Sequence, residues 1–284
     1  IFVLNGYAGT GKTTLLAALV DVLSDMNIKS ILLAPTGRAA KVLSRYSRHE
    51  ALTIHKRIYR EKTNADYESK FTLNINKERG AIFIVDEASM LSDTAGDGQL
   101  FGSGSLLDDL IKYVRSGKEC RLILVGDNAQ LPPVGLAYSP ALEEEVMRGY
   151  GDVVYESMDD VVRQQATSGI LFNATMVRCM LENGLCEVPR FEMDFPDIES
   201  INGSEVMEKV QECYDKYGRE ETIVITRSNK RANRYNEGIR RYNLSAEEAI
   251  ESGDMLMVVK NNYHYTERIE ECPMSFMANG DIAL

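Results

Sequence analysis

The segment LNGYAGTGKTTLL, residues 4–16, constrains the fold of this chain more than any other feature. Residues 6–13, GYAGTGKT, match the pattern G-x-x-x-x-G-K-[ST] and lie between the apolar run IFVLNG and a stretch with helical apolar spacing. Glycines let backbone N–H groups turn inward around an anion, and the following helix adds the positive end of its dipole. The segment therefore predicts a phosphate-binding loop between a strand and a helix.

Further apolar runs predict the sheet to which this loop belongs. SILLAPT, GAIFIVDEAS and CRLILVGD alternate with helix-like stretches such as GRAAKVLSRYS. Fully apolar strands that alternate with helices indicate an α/β fold, with a parallel sheet covered on both faces. The pattern restarts after residue 150, with a helix in SGILFNATMVRCMLENG, strand–turn–helix in TIVITRSNKRANRYNEGIRR and a strand in DMLMVVKNN. We therefore predict two domains, residues 1–150 and 151–284.

The polar segment 61–80 fits the first domain poorly. It contains one alternating stretch, FTLNI at residues 71–75. Alternation of this kind predicts a β-hairpin inserted between a helix and the IFIVDE strand, and a long irregular loop is the alternative.

The chemistry of the loop predicts its ligands. Lys12 supplies a point charge for β and γ phosphates, and the hydroxyl of Thr13 is a ligand for Mg²⁺. A phosphate loop of this type predicts a second, carboxylate element on a neighbouring strand, which IFIVDEAS provides: Asp86 would hold Mg²⁺, and Glu87 would orient and deprotonate water. In LILVGDNAQLPPVG, Gln130 is a candidate sensor of the γ-phosphate. We thus predict an ATP hydrolase whose nucleotide contacts come from Gly6, Ala8, Gly9, Thr10, Gly11, Lys12, Thr13 and Thr14.

Charge leaves the choice of partner open. The net charge of −11 by itself argues against nucleic acid. Residues 38–62, however, contain eight Lys or Arg against two Glu, which indicates either a nucleic-acid face or a solvated helix face. No apolar run reaches the 18 or so residues that span a bilayer, no signal peptide precedes the first strand, and five cysteines without a CxxC pair favour reduced thiols. We expect a cytoplasmic protein without a membrane partner.

Six segments in order resemble the motifs of one helicase family. GYAGTGKTT, LLAPTGRAAKVLS, TIH, IFIVDEASM, VGDNAQLPPVG and VVRQ are similar to motifs I, Ia, Ib, II, III and IV of superfamily 1 DNA helicases. The RecD/Dda branch, superfamily 1B, is the most similar, and the chain resembles relatives of the exodeoxyribonuclease V alpha-subunit. The resemblance implies two RecA-like motor domains, the second of them partial, movement from 5′ to 3′ along single-stranded DNA, and roles in repair or recombination with other subunits.

The same resemblance implies roles for single residues. Lys12, Thr13, Asp86, Glu87 and Gln130 match the positions already deduced. Arg163 in VVRQ matches an arginine that reaches the γ-phosphate from the second motor domain. The positions implied to contact single-stranded DNA are Pro35, Thr36, Thr53 and His55, with charge added by Arg38, Lys41 and Lys56. Segment 61–80 matches the small hairpin, the pin, that splits the duplex. TRSNKRANRYNEGIRR resembles a strand–helix of the second motor domain, with Thr226, Asn229 and Asn236 at its opening.

Departures from the family limit what the chain is expected to do alone. Segments like HKSQG and ALTRA, and an upstream adenine-reading glutamine, do not occur in these residues, which read as a fragment cut at both ends. We therefore expect nucleotide binding without duplex unwinding. The alternatives are a P-loop ATPase that drives assembly or signalling without DNA, and a P-loop kinase. Glu87, Gln130 and the lack of an arginine-rich lid argue against the kinase.

Overall fold

The computed structural model describes residues 1–63, 69–94, 102–158, 168–259 and 282–283. The chain divides into two compact units, one built mainly from residues 1–164 and the other from residues 165–256. The two units are described separately below.

A sheet of six parallel strands forms the first unit. Its strands are β1 (Phe2–Gly6), β2 (Ser30–Ala34), β3 (Ala51–Thr53), β6 (Ile82–Val85), β7 (Arg121–Gly126) and β8 (Val154–Met158), in the order β3-β2-β6-β7-β1-β8. Because all six run in one direction, the segments that follow β1, β2, β3, β6 and β7 lie along one edge of the sheet, the carboxyl edge. The predicted parallel α/β fold is confirmed.

Helices cover both faces of this sheet. They are α1 (Lys12–Asp25), α2 (Gly37–Ser47), α3 (Ile54–Ile58), α4 (Leu106–Ser116) and α5 (Glu144–Arg148), with 3-10 turns at Ala88–Met90 and Pro140–Leu142. Successive strand residues point to opposite faces, so Val3 belongs to one core cluster and Leu4 to the other. Leu16 of α1 and Leu43 of α2 pack in the cluster that contains Leu4. Apolar residues on both sides of each strand explain why the strands appear as unbroken apolar runs in the sequence.

A two-stranded antiparallel hairpin is inserted between α3 and β6, as the polar segment predicted. Its strands are β4 (Tyr59–Thr63) and β5 (Ser69–Leu73), and Arg60 pairs with Thr72. The base of the hairpin is tied to α4, because the Tyr59 hydroxyl donates a hydrogen bond of 2.8 Å to Asp109. Asp109 is buried and also accepts hydrogen bonds from the backbone N–H and hydroxyl of Ser103, each 2.8 Å long. This network fixes where the hairpin leaves the first unit.

The carboxylate element follows β6, which lies two strands from β1 because β7 is between them. Strand β8 begins after residue 150, where we placed the domain boundary, and it pairs with β1 from Phe2↔Val154 to Gly6↔Met158.

The second unit contains helices α6 (Gly169–Glu182), α7 (Val206–Tyr217) and α8 (Asn229–Tyr242). Arg240 of α8 donates to both carboxylate oxygens of Asp254, at 3.0 and 2.7 Å. Val210 of α7 and Ile239 of α8 are the buried apolar side chains among the described residues of this unit. The strand predicted at TIVIT does not form. Ile223 and Ile225 are 80% and 88% exposed, and a strand needs a hydrogen-bonding neighbour that the described residues do not supply here. In the described part of DMLMVVKNN, residues 254–259, a strand forms at β9 (Leu256–Met257), which pairs with β10 (Ile282–Ala283) in a separate two-stranded sheet.

Candidate nucleotide-binding site

The glycine loop joins β1 to α1 at the carboxyl edge, as its sequence predicted. Gly11 is the N-cap of α1 with φ of 90°, and no side chain caps the helix. The buried hydroxyl of Thr10 donates to the Tyr7 carbonyl at 2.8 Å, which holds the loop in its turn. The N–H groups of the first turn of α1 therefore face the loop without a side-chain acceptor, the arrangement that suits an anion.

A cavity of about 670 Å³ opens beside the loop. Its lining residues are Gly9, Gly11, Lys12, Thr13, Thr14, Leu15, Ala18 and Tyr46. Five of the eight predicted nucleotide-contacting residues therefore lie on one concave surface, and the other three, Gly6, Ala8 and Thr10, complete the same loop.

The Lys12 ammonium lies inside the turn of the loop. It donates to the carbonyl oxygen of Gly6 and, at 2.9 Å, to that of Tyr7. Burial lowers the pKa of Lys12, and the negative charges of Asp127, Glu87 and Asp86 oppose that shift. The Lys12 ammonium thus interacts electrostatically with three carboxylates, which follow β6 and β7.

The loop is closely packed at its first glycine, and its donors suit phosphate. A Cβ added at Gly6 would lie 3.0 Å from both Met158 Cβ and Thr10 Oγ1 and 3.2 Å from Lys12 Cγ, so only glycine leaves room there. The donors are backbone N–H groups and an ammonium, which suit phosphate oxygens. Thr13 and Asp86 offer the oxygen ligands that Mg²⁺ prefers. The residues present therefore fit a nucleotide with magnesium.

The two acidic residues after β6 have unequal environments. Burial is the largest cause that raises the pKa of Asp86, opposed by a hydrogen bond from the Glu87 N–H (2.9 Å) and by the charge of Lys12. Burial also raises the pKa of Glu87, and the charges of Asp86 and Asp127 add to it while Lys12 opposes it. A carboxylate whose proton affinity is raised is a better base, which is what activation of water requires.

The backbone at Glu87 is strained. Glu87 has φ of 54° and ψ of 39°, in the left-handed region that non-glycine residues seldom adopt. The 3-10 turn that follows it packs closely on β7, because a Cβ at Gly126 would lie 3.0 Å from the Ser89 nitrogen and 2.9 Å from Leu142 Cδ1. Such strain persists where the surroundings impose it, often at functional sites. The fit of Gly126 against this turn thus holds Glu87 at the carboxyl edge.

Two polar residues join the site that the sequence analysis did not name as functional. Asp127 is buried at the end of β7, its Oδ1 accepts from the Ala129 N–H at 2.9 Å, and its charge acts on Lys12 and Glu87. The Asn5 side chain accepts from the Asn128 N–H at 3.0 Å and so ties β1 to the segment after β7. The signal was present in the sequence, since Asp127 ends an apolar run as Asp86 does, but the pairing of β7 with β1 was not.

Gln130 and Arg163 are the remaining predicted catalytic residues, and the structure describes only the first of them. Gln130 is exposed in the loop after β7, where its N–H donates to the Asp127 carbonyl at 3.2 Å. It therefore lies at the edge that carries the glycine loop. Arg163 lies outside the described residues.

The predicted DNA-contacting residues lie at or just after the ends of β2 and β3, two adjacent strands that end at the same edge, with Ala34 opposite Thr53. The Thr36 hydroxyl accepts from the Ala39 N–H at 3.2 Å and caps α2, and the Thr53 hydroxyl accepts from the Lys56 N–H at 3.2 Å and caps α3. Thr53 is fully buried. These hydroxyl groups cap the N-termini of two helices. Because Thr53 is buried, it influences the surface only by setting where α3 begins.

Charge at this edge is carried by side chains that reach solvent. Arg38 and Lys56 are exposed, and Pro35 and Thr36 are partly exposed. His55 is partly buried, its ring lies 5.7 Å from that of Tyr59, and burial lowers its pKa, so the imidazole is neutral at physiological pH. The positive charge of this surface therefore comes from Arg38 and Lys56, and His55 contributes a neutral ring.

Comparison with known proteins identifies the family. Residues 1–176 match the AAA domain family AAA_30, and because the match covers more than half of the chain, the protein belongs to that family. Its first unit is a RecA-like P-loop domain, and the resemblance to the RecD/Dda branch of superfamily 1B helicases is confirmed.

Three relatives match about half of the chain. The ATP-dependent DNA helicase dda of Enterobacteria phage T4 is 37% identical over 138 residues, 46% of this chain and 28% of dda. The ATP-dependent RecD2 DNA helicase of Deinococcus radiodurans is 32% identical over 136 residues, covering 47% and 16%. An uncharacterized protein of Methanocaldococcus jannaschii is 35% identical over 144 residues, covering 47% and 11%. The alignments thus span less than a third of each relative's length.

A solved structure is also similar. The Pif1 helicase from Candida albicans aligns with 92% of this chain and 53% of its own, with a TM-score of 0.42 and 16% identity.

Among the described residues, no helix is both long and apolar enough to cross a membrane.

Proposed function

We propose that this chain is the ATP-hydrolysing motor part of a DNA helicase or translocase. One observation carries the proposal: the glycine loop with Lys12 follows β1, and Asp86, Glu87 and Asp127 follow β6 and β7, so all four residues lie at one edge of one parallel sheet. The resemblance to proteins named as ATP-dependent DNA helicases supports DNA as the polymer along which the motor moves.

Each residue has a distinct task in hydrolysis. Lys12 and the N–H groups of the loop bind the β and γ phosphates of ATP, and Glu87 accepts a proton from the attacking water. Thr13 and Asp86 would hold Mg²⁺, which when bound neutralises charge on the phosphates. Gln130 senses the γ-phosphate from the loop after β7, and Arg163, by analogy with the family, reaches it from the second motor domain.

DNA contact is proposed at the surface formed by Pro35, Thr36, Arg38, His55 and Lys56, with the buried Thr53 capping α3 beneath it. Contacts with phosphates from cations and helix starts position a strand without reading its sequence, which suits a motor. By family analogy the movement is 5′ to 3′, the hairpin of β4 and β5 meets the duplex junction, and repair or recombination subunits are the partners. We expect that residues 1–284 alone hydrolyse ATP in response to DNA but do not separate strands.

The test is ATP hydrolysis by the chain with and without oligothymidine. We expect stimulation by the oligonucleotide, and weaker stimulation for the double variant Arg38→Glu, Lys56→Glu. Each lost phosphate contact should reduce the slope of log affinity against log salt by about 0.7. Lys112→Glu, a charge reversal at an exposed position of α4, is the matched control and should behave as the unchanged chain.

If oligothymidine left the rate of ATP hydrolysis unchanged and the chain did not bind DNA, the proposal of a DNA motor would be contradicted. That outcome would support the alternative, a P-loop ATPase that drives assembly or signalling. The net charge of −11 is the observation that favours this alternative.

A further inference from the structure

The cavity at the glycine loop extends beyond the groups that bind phosphate. Gly9, Gly11, Lys12, Thr13 and Thr14 form one end of it, and the other end is formed by Leu15 and Ala18 of α1 and by Tyr46 of α2. The volume of about 670 Å³ lies within the range of sites that hold a whole small ligand. The two ends differ in chemistry, since the first is rich in donors and the second is apolar and aromatic.

The position of Tyr46 follows from the packing of α2 on the sheet. Ala40, Leu43 and Ser47 are the buried side chains of this part of α2, and Leu43 packs in the same core cluster as Leu16 of α1. Side chains on a helix lean toward its N-terminus. The ring of Tyr46, in the last turn of α2, therefore leans back toward the carboxyl edge, where α1 begins.

Tyr46 is exposed for a large aromatic residue. Its side chain is 63% exposed and the neighbouring Leu15 is 45% exposed. In the described part of the chain, no residue hydrogen-bonds to the Tyr46 hydroxyl or stacks on its ring. An apolar floor and an open aromatic face at the far end of a phosphate cavity match the shape and chemistry of a nucleobase.

We propose that Tyr46 is the platform on which the base of the bound nucleotide stacks. The proposal rests on the proposed nucleotide site and adds a residue that binds the base to those that bind the phosphates. Of the residues that line the cavity, none at the base end carries an amide or carboxylate side chain. Tyr46 therefore contacts the flat face of the base, which adenine and guanine share, and reading of the base edge is left to groups outside this cavity lining.

The first test compares ligands with and without a base. Affinities of the magnesium complexes of AMP-PNP, GMP-PNP and inorganic tripolyphosphate are measured by calorimetry for the unchanged chain and for Tyr46→Ala. We expect Tyr46→Ala to weaken both nucleotides by about tenfold or more and to leave tripolyphosphate unchanged. Tyr46→Phe should retain nucleotide affinity, and Val42→Ala, at an exposed position one turn earlier on α2, should have no effect.

The second test uses the absence of tryptophan from the sequence. Tyr46→Trp places a single indole on the proposed platform, so that a stacked base should quench its fluorescence while tripolyphosphate should not. Val42→Trp is the matched control and should report neither ligand. Equal nucleotide affinity in Tyr46→Ala, or Trp emission that does not respond to bound AMP-PNP, would overturn the platform and leave the nucleotide site standing. Failure of both AMP-PNP and tripolyphosphate to bind the unchanged chain would instead overturn the proposed function.

Discussion

At the scale of single residues, the site depends on charges that are costly to hold together. Asp86, Glu87 and Asp127 are partly or wholly withdrawn from water around one ammonium group, that of Lys12. Burial raises the pKa of both Asp86 and Glu87 and lowers that of Lys12. Isolated charges in such surroundings lose favourable solvation, and bound Mg²⁺ would supply positive charge to the carboxylates while the phosphates would supply negative charge to Lys12. The free-energy cost of holding these charges together is therefore lower when the ligand is bound.

This electrostatic arrangement predicts the pH dependence of hydrolysis. Glu87 acts as a base only when deprotonated, and because its pKa is raised, activity should fall on acidification at a higher pH than for an ordinary glutamate. The measurement is kcat/KM between about pH 5 and pH 8, because its pH dependence reports the pKa values of the protein before ATP binds. Asp127→Asn removes one charge that raises the pKa of Glu87, so the acid limb should move to lower pH. An acid limb that stays in place in Asp127→Asn would contradict the coupling.

Sequence reasoning found most residues of the site because local spacing specifies them. The pattern from Gly6 to Thr13 and the pair Asp86–Glu87 need no knowledge of distant contacts. Asp127 was missed as a functional residue because its importance depends on the pairing of β7 with β1. The capping role of Thr53 was missed because it depends on where α3 begins, and a helix of five residues is too short to show a clear apolar spacing in the sequence.

At the scale of secondary structure, the hairpin is held by polar contacts at its base. Asp109 accepts hydrogen bonds from Tyr59 of β4 and from Ser103. On the other side of the hairpin, Glu78 pairs with Lys29 at 2.8 Å and with Arg57 at 2.5 Å. Burial alone would raise the pKa of Glu78, and the hydrogen bonds from Lys29 and Arg57 outweigh it, so the pKa is lowered.

Replacement of Asp109 should destabilise the first unit. Asp109→Ala leaves the buried Tyr59 hydroxyl without an acceptor and removes both hydrogen bonds from the exposed Ser103, which should reduce the free energy of unfolding by about 2–3 kcal/mol. Asp109→Asn keeps one acceptor oxygen and should cost less. Urea denaturation measures both, with Glu144→Ala as control, because the exposed ion pair of Glu144 with Arg148 is worth under about 1 kcal/mol. A loss in Asp109→Ala no larger than that in the control would contradict the anchoring role.

The hairpin itself should matter at a duplex junction and not for nucleotide. Because Arg60 and Thr72 pair across it, a two-residue Asn-Gly turn can join them and remove the rest. We expect the shortened chain to bind AMP-PNP and oligothymidine normally. With 2-aminopurine at the first base pair of a forked duplex, the unchanged chain should increase fluorescence by local fraying of that pair, without unwinding the duplex, and the shortened chain should not. An equal increase for both would contradict a contact between the hairpin and the junction.

The elements that the sequence predicted well are those with strong local signals. Each apolar run of the first unit became a strand because neighbouring strands and two layers of helices cover it. TIVIT has the same composition but no strand beside it among the described residues, so Ile223 and Ile225 remain exposed. β-Structure depends on a partner that local sequence does not specify.

At the scale of the whole molecule, an acidic protein presents a basic surface. The net charge is −11, yet Arg38, Lys41, Arg45, Arg48, Lys56 and Arg60 are all exposed. Within α2, residues 38, 41 and 45 follow helical spacing and lie on one side. The total charge is therefore a poor guide to the partner, and the local distribution explains how an acidic chain can bind a polyanion in a salt-dependent way.

The most direct measurement of the central claim is single-turnover hydrolysis of ATP by the chain bound to oligothymidine, compared with that of Glu87→Gln. We predict that Glu87→Gln binds ATP with unchanged affinity and hydrolyses it at least about 100-fold more slowly, because it keeps the shape of the site and loses the base. Lys12→Ala, the control for the phosphate loop, should lose binding itself. Hydrolysis by Glu87→Gln at the rate of the unchanged chain would contradict the account.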